Sequence, residues 1–495
     1  MGSEWRIVQL RELTSKITKG TTPTAKDGGF SEYGVNYIRA ESVGYSGELS
    51  TESFKKIDPS IHEKLKRSQL EENDILFSMA GAFLGKTGLV RKKHLPANTN
   101  QALALIRPIR DLVDPNFLLY FFRQNSVVSF VNGSVSQSAQ PNINLQEIGS
   151  LNIKLPSLQE QQVISKIIGS LDNKIQLNRE TNQTLEAMAQ ALFKSWFVDF
   201  DPVFDNIIAH NLAHNNAPLH NIPEPLLPHA KRRLNVHNVG WGSARQTAAH
   251  AFHHLFPQAF EQSDEPSVGI QGWVPKGWGQ SSFDKHTDFK NGYAFKSKEL
   301  LKDTEDTIPV FKMGHIKRGG GFNPSGTKSY FPKSGIDKKI QDFFAKKGDL
   351  LMSMTDMKSN MVILGNTALM PISDKFLVNQ RVGRIRPNNS TYLDYPYLYF
   401  YTNHIPVVEE LRSRANSGVQ VNLSTAAIKE TLLLVPSERI HHEFNKQVKA
   451  FLERIFSNDE SISSLESLRD TLLPKLISGE LRIPDAEQAS EALAK

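Results

Sequence analysis

The feature that most constrains this chain is a stretch from Gln159 to about Asp201 whose apolar residues recur in alternating four- and three-residue steps. Ile164, Ile168, Leu171 and Ile175 are followed by Leu185, Ala189, Leu192 and Trp196, the stripe that a helix offers to a partner helix. Asn178 and Asn182 fall in the same stripe, where a buried Asn fixes register at a cost in stability. Gly169 is the only interruption, and Asp201-Pro202 is expected to stop the helix. At about 1.5 Å per residue, roughly 38 residues make a rod of about 57 Å.

The pattern returns 280 residues later. Val448, Phe451, Ile455, Leu465, Leu472 and Leu476 take the places of Ile168, Leu171, Ile175, Leu185, Leu192 and Trp196, and Asn458 takes that of Asn178. Two helices of matching length and phase pair most simply with each other, antiparallel, although the spacing also allows each to pack on its own neighbouring domain.

The segments before the rods repeat as well. Asp74-Ile-Leu-Phe-Ser-Met79 answers to Asp349-Leu-Leu-Met-Ser-Met354, Asn100-Gln101 to Asn379-Gln380, and Ile106-Arg-Pro108 to Ile385-Arg-Pro387. Phe117-Leu-Leu-Tyr-Phe-Phe122 matches Tyr397-Leu-Tyr-Phe-Tyr401, and Asn144-Leu145 matches Asn422-Leu423. One globule-plus-rod unit is therefore written twice. Short β-rich runs with one helical stretch predict a mixed α+β domain, and the differences between copies fall largely in expected loops.

Charge follows the same division. Lys+Arg against Asp+Glu is 19 to 15 over residues 1–155 and 23 to 15 over 273–436, but 8 to 11 over both 156–272 and 437–495. Basic blocks separated by acidic rods suggest two polyanion-binding modules on a scaffold that does not itself seek the polyanion. The absence of Cys excludes disulfides and thiolate metal sites and suits a reducing cytoplasm. No run of 18 apolar residues occurs and no signal-peptide pattern opens the chain, so the expectation is a soluble cytoplasmic protein without a membrane partner.

Gln159-Glu-Gln-Gln through Leu185-Glu-Ala-Met-Ala-Gln-Ala-Leu-Phe-Lys-Ser-Trp-Phe-Val-Asp-Phe-Asp-Pro202 resembles the central conserved region of specificity (S) subunits of type I restriction-modification enzymes. Leu468-Arg-Asp-Thr-Leu-Leu-Pro-Lys-Leu-Ile-Ser-Gly-Glu-Leu-Arg-Ile483 resembles their distal conserved region. The resemblance implies two tandem α/β target recognition domains separated by two long antiparallel coiled-coil helices, a pseudo-twofold internal repeat. The implied layout is a recognition domain at 1–155, a long helix at 156–203, a His-rich linker at 204–272, a recognition domain at 273–436, a second long helix at 437–483 and a tail at 484–495. It also implies that each domain reads one half of a split site in double-stranded DNA. The helices would set the spacer and dock two modification (methyltransferase) subunits, with restriction (translocase/nuclease) subunits completing the complex. S-adenosylmethionine, ATP and Mg would then belong to those partners, with no cofactor, metal or catalytic residue in this chain. The other function class open to the sequence is a coiled-coil scaffold that binds proteins without reading DNA.

Lys and Arg hold phosphates, while Arg, Asn and Gln read base edges. The DNA-binding candidates in expected loops are Lys19, Arg39, Lys86, Lys92 and Gln137 in the first domain and Lys312, Lys317, Arg318, Lys358 and Arg381 in the second. The repeated Asn100-Gln101 and Asn379-Gln380, and Ser78 and Ser353, are read as structural because they recur where specificities should differ. Ala80-Gly-Ala-Phe-Leu-Gly-Lys-Thr87 approaches a phosphate loop, but Ala80 stands at the first Gly position and the second copy has no such loop. No adenine-methyltransferase tetrapeptide appears. His210 and His214 share a helix spacing, yet the other His of 205–272 are irregularly placed, which favours surface His over a metal site.

Overall fold

The chain, as a computed structural model, is described over residues 5–24, 28–44, 47–81, 84–133, 142–238, 252–326, 328–357, 361–416, 418 and 420–481. It divides into two compact units, Met1–Arg179 with Asp459–Lys495 and Glu180–Asn458, so that each long helix is shared between units.

In the first unit, Ile75–Ser78 is buried along its whole length, which is why it reads as a mostly apolar run rather than an alternating one. It lies in an antiparallel sheet ordered Thr14–Lys19, Leu103–Pro108, Ile75–Ser78, Thr87–Leu89. A second sheet places Val35–Ile38 between antiparallel Lys55–Ile57 and parallel Ala97–Thr99. Arg6–Gln9 pairs with Asn152–Leu155 just before the long helix. Asp114 caps the helix Pro115–Phe122 by accepting from the Phe117 amide at 2.9 Å, with Pro at the first turn where its missing N–H costs nothing.

The second unit has the same topology. Thr287–Asn291, Val382–Pro387, Leu350–Ser353 and Thr367–Leu369 form the antiparallel sheet; Tyr330–Pro332, Thr307–Phe311 and Leu377–Val378 form the mixed one. Registers match: Ile75 faces Ile106 as Leu350 faces Ile385. Gly279–Ser282 pairs with Leu432–Val435 as the first strand pairs in the other unit.

The first long helix is Leu158–Phe197 and the second Glu438–Ser478. Ser157 and Glu160 form the reciprocal cap that starts the first: the Ser157 amide donates to Glu160 Oε2 at 3.0 Å and the Glu160 amide to Ser157 Oγ at 3.3 Å. Gly169 sits inside it, where an added Cβ would come to 3.5 Å from the Tyr120 hydroxyl. The helix ends at Phe197, and Asp201-Pro202 does not terminate it. The chain turns through left-handed Phe200 (φ 54°), and Asp201-Pro202 instead opens a new helix, Asp201–Ala213, with Pro in its first turn.

Within each unit the helices run antiparallel, rising numbers on one meeting falling numbers on the other. In the first unit Asp172 pairs with Arg469 (3.0 Å) and Arg179 with Glu466 (2.5 Å). In the second, Asn458 Nδ2 donates to Asn182 Oδ1 at 2.7 Å, and the Phe197 and Phe444 rings lie 4.9 Å apart. Of the stripe, Ile164, Ile168, Leu171, Ile175, Asn178, Trp196, Val448, Asn458, Leu472 and Leu476 are buried, and Leu185, Leu192, Phe451, Ile455 and Leu465 are half-buried. Each helix also packs on its neighbouring domain. Phe193 contacts Tyr397 and Phe400, and Phe117 and Phe122 share a core with Ile164, Ile168 and Leu171. The doublets Leu192-Phe193 and Trp196-Phe197 carry this second face, which a single-stripe reading leaves out.

The His-rich stretch is more than a connector. Helices Asp201–Ala213 and Leu227–Asn238 bury Val203, Phe204 and Ala230 in the core of the second unit, the turn Glu224–Leu226 adds Leu226, and Arg233 reaches Asp205 at 2.5 Å. No helix among the described residues is long and apolar enough to cross a membrane.

Candidate nucleic-acid interface

Each domain has one place where the loop after its first sheet strand passes directly over the backbone before its next. At Gly20 a Cβ would stand 2.1 Å from the Thr99 carbonyl oxygen, and at Gly292 2.2 Å from that of Asn379, so only glycine allows the crossing. The Thr21 amide donates to Thr99 O at 2.9 Å and the Tyr293 amide to Val378 O at 2.7 Å, which fixes the two crossings in the same geometry. Lys19-Gly20 and Asn291-Gly292 are thus equivalent, as are Gln101 and Gln380, both exposed.

In the first domain the Tyr37 hydroxyl donates to Thr21 O at 2.9 Å, and burial pushes its pKa up to about 12, so it remains a donor. The Thr22 hydroxyl donates to Gln101 Oε1, and Arg67 reaches Thr21 Oγ1 at 3.3 Å. Arg39 follows the strand Val35–Ile38, pairs with Glu41 at 2.5 Å and lies 5.9 Å from the Phe30 ring centre. Lys19 and Lys92 are exposed; Lys86 is half-buried beside the strand Thr87–Leu89.

In the second domain Lys312 holds the position of Arg39, and its Nζ donates to Ser329 Oγ at 2.7 Å. Partial burial and the nearby Arg381 charge both lower its pKa. Arg381 is exposed but its backbone is fixed: its amide donates to Asn379 Oδ1 at 3.3 Å and its carbonyl accepts from the Met354 amide at 3.0 Å. Lys339 lies 6.0 Å from the Tyr293 ring centre, at the same crossing. Lys317 and Arg318 are exposed at a separate tight turn closed by the Lys317 amide on Gly321 O at 2.9 Å. Gln137 and Lys358 lie outside the described residues.

The structure brings Lys19 into the first crossing and Lys312 and Arg381 into the second. It adds Arg67, Gln101, Lys339 and Gln380, which no charge count singles out; the recurrence of Gly20 and Gly292 beside the repeated Asn-Gln pairs is the signal that finds them. Cations are groups that can hold phosphates, and exposed amides are groups that can read base edges. Ser78 and Ser353 carry matched turns, their amides donating to Lys86 O and Asn366 O at 2.9 Å. His210 and His214 stack on each other, and among the described residues no group of three or more metal-ligating His, Asp or Glu assembles.

A model of the type I restriction modification DNA specificity domain matches residues 2–187 and again 275–466. The chain is 26% identical over 442 residues to the type I restriction enzyme HindI specificity subunit of Haemophilus influenzae, covering 84% of this chain and 88% of that protein. It is 23% identical over 491 residues to the MjaIX specificity subunit of Methanocaldococcus jannaschii, covering 97% and 94%. The crystal structure of a type I restriction-modification system S subunit from M. genitalium superposes with a TM-score of 0.53 at 15% identity, over 96% of this chain and 97% of that one, a likeness of fold.

Proposed function

The chain belongs to the type I restriction-modification DNA specificity family, carrying the specificity domain twice, and from that premise we propose that each domain reads a different half of a bipartite DNA site. The chain is a specificity subunit; in this reading it performs no chemistry itself. The paired helices set the spacer between half-sites and dock two modification subunits, which supply S-adenosylmethionine-dependent methyl transfer, while restriction subunits supply ATP- and Mg-dependent translocation and cleavage.

One observation carries the reading. The same fold and the same glycine crossing occur twice, with Arg39 and Ala102 in one domain where the other has Lys312 and Arg381. A shared scaffold with different polar groups at one matched place is what two different readouts by one architecture require.

The test is domain exchange in the complex reassembled with its modification subunit. Replacing residues 273–436 by the second recognition domain of a relative should change the preferred sequence of one half-site and leave the other as it was. Affinity should fall with a negative log-log slope against salt, as phosphate contacts demand. An exchange that altered both half-sites together, or binding with no sequence preference, would leave only a scaffold role.

A further inference from the structure

Beside the two crossings, the matched cations Arg39 and Lys312 differ in how their charge is balanced. Arg39 has Glu41 as an ion-pair partner; Lys312 has Gly314 at the position of that Glu, and among the described residues neither Lys312 nor Arg381 has a carboxylate within ion-pair distance. Two neighbouring cations without an anion repel each other in the free protein, and a ligand rich in acceptors relieves that repulsion. The equivalent of Arg381 is Ala102: the Met79 amide donates to Ala102 O at 2.9 Å just as the Met354 amide donates to Arg381 O at 3.0 Å. Every half-site presents phosphates, so a side chain needed only for phosphate has no reason to be present in one domain and absent at the matched place in the other. A base contact has that reason.

We propose that Arg381 is a specificity-determining residue of the second domain, its guanidinium donating in a fork to O6 and N7 of a guanine in the major groove, while Lys312 holds a neighbouring phosphate. This rests on the half-site reading above and deepens it. The backbone bonds on both sides of Arg381 fix the root of an otherwise flexible side chain, which a directional two-bond contact needs. Guanine is the base whose major-groove edge offers two adjacent acceptors to such a fork.

The experiment uses the full chain in complex with its modification subunit, bound to a library of duplexes in which one half-site at a time is randomised. Arg381→Ala should reduce preference for guanine at one position of the second half-site by about ten- to a hundredfold, with every other position unchanged. Arg381→Lys, which keeps the charge but not the fork, should lose most of that preference while retaining affinity. Lys312→Ala should weaken binding to all sequences alike and reduce the salt slope by about one. Uniform loss of affinity in Arg381→Ala without loss of preference, or an unchanged guanine preference, overturns the proposal while two-half-site reading stands. A wild-type complex without sequence preference in either half-site removes the parent reading and this one with it.

Discussion

The two units share a topology but secure the joint between domain and helix by different physics. In the first unit the Asp114 amide donates to Gln161 Oε1 at 2.8 Å, and Ser165 donates to Asp114 Oδ1 at 2.6 Å. At the matched place in the second, the Asp394 amide donates to His441 Nε2 at 3.1 Å, with Asn445 beside the imidazole and Lys449 paired to Asp394. The first unit adds an ionic clasp, Asp172 between Arg123 (2.7 Å) and Arg469 (3.0 Å); the second replaces it with packed rings of Phe193, Trp196, Phe197, Tyr397 and Phe444. The lesson is that a duplicated fold preserves the shape of a joint, not the forces in it. The units should therefore respond differently to the same insult.

Truncating the aromatic cluster separates them most. Phe444 is fully buried, and Phe444→Ala removes its contacts with three rings of the first helix and with Tyr397, at a cost of about 3–5 kcal/mol. Hydrogen exchange should lose protection among residues 180–458 while 5–155 keeps it. Equal loss in both would show that the two joints do not act separately.

Acid provides the second contrast. Burial lowers His441 to a pKa of about 4, with Lys449 and His442 adding to the shift and Asp394 opposing it. The unfolded imidazole takes up its proton near its ordinary value and the folded one does not. Stability from this group is therefore full above about pH 6.5 and is lost as pH falls from there toward about 4. Gln161 does not titrate; burial lowers His94 in the first unit and His229, His286, His315 and His404 in the second. The second unit should lose more stability than the first between pH 6.5 and 4.5, and His441→Gln should reduce that excess. Thermal melts resolved by unit across this range decide it; an unchanged excess in the variant would place the sensitivity elsewhere.

Much of this was legible in the chain because duplication prints each structural need twice. Asp74, Asp349, Ile106-Arg-Pro108 and Ile385-Arg-Pro387 stood out only as repeats. They prove to be the two ends of a forked ion pair across each sheet, Arg107 to Asp74 at 2.7 and 2.8 Å and Arg386 to Asp349 at 2.5 and 2.8 Å. The repeated Asn-Gln pairs, read as structural, turned out to be divided: Asn379 is buried and bonded, whereas Gln101 and Gln380 face outward beside the crossings. The second face of the helices was hidden because Phe193 and Phe197 fall one residue off the stripe. The helices within 201–238 were hidden by Pro, His and Asn, whose local preferences argue for loop until Arg233 and Phe204 find tertiary partners.

The smallest expected effect tests the helix pairing itself. Asn182 and Asn458 meet across the seam, and Asn182 Nδ2 also reaches Ile455 O at 3.4 Å. Asn458→Ala deprives the half-buried Asn182 of this partner and should cost about 1 kcal/mol. Replacing both by Leu restores an apolar seam and should recover that loss or exceed it, because the polar pair selects one register at the expense of stability. The double-mutant cycle therefore has a definite sign: the two changes together must be less harmful than their sum. The same pairing decides how a spacer variant is built. A four-residue deletion near Gln183, about one turn, shortens the first helix alone and carries the residues after it past Asn458 and Phe444. Only a matched deletion in the second helix keeps the seam in phase, so paired deletions should shorten the preferred DNA spacer, whereas the single deletion should lose stability first. Additive Asn effects with an undamaged single deletion would mean that the seam does not fix register.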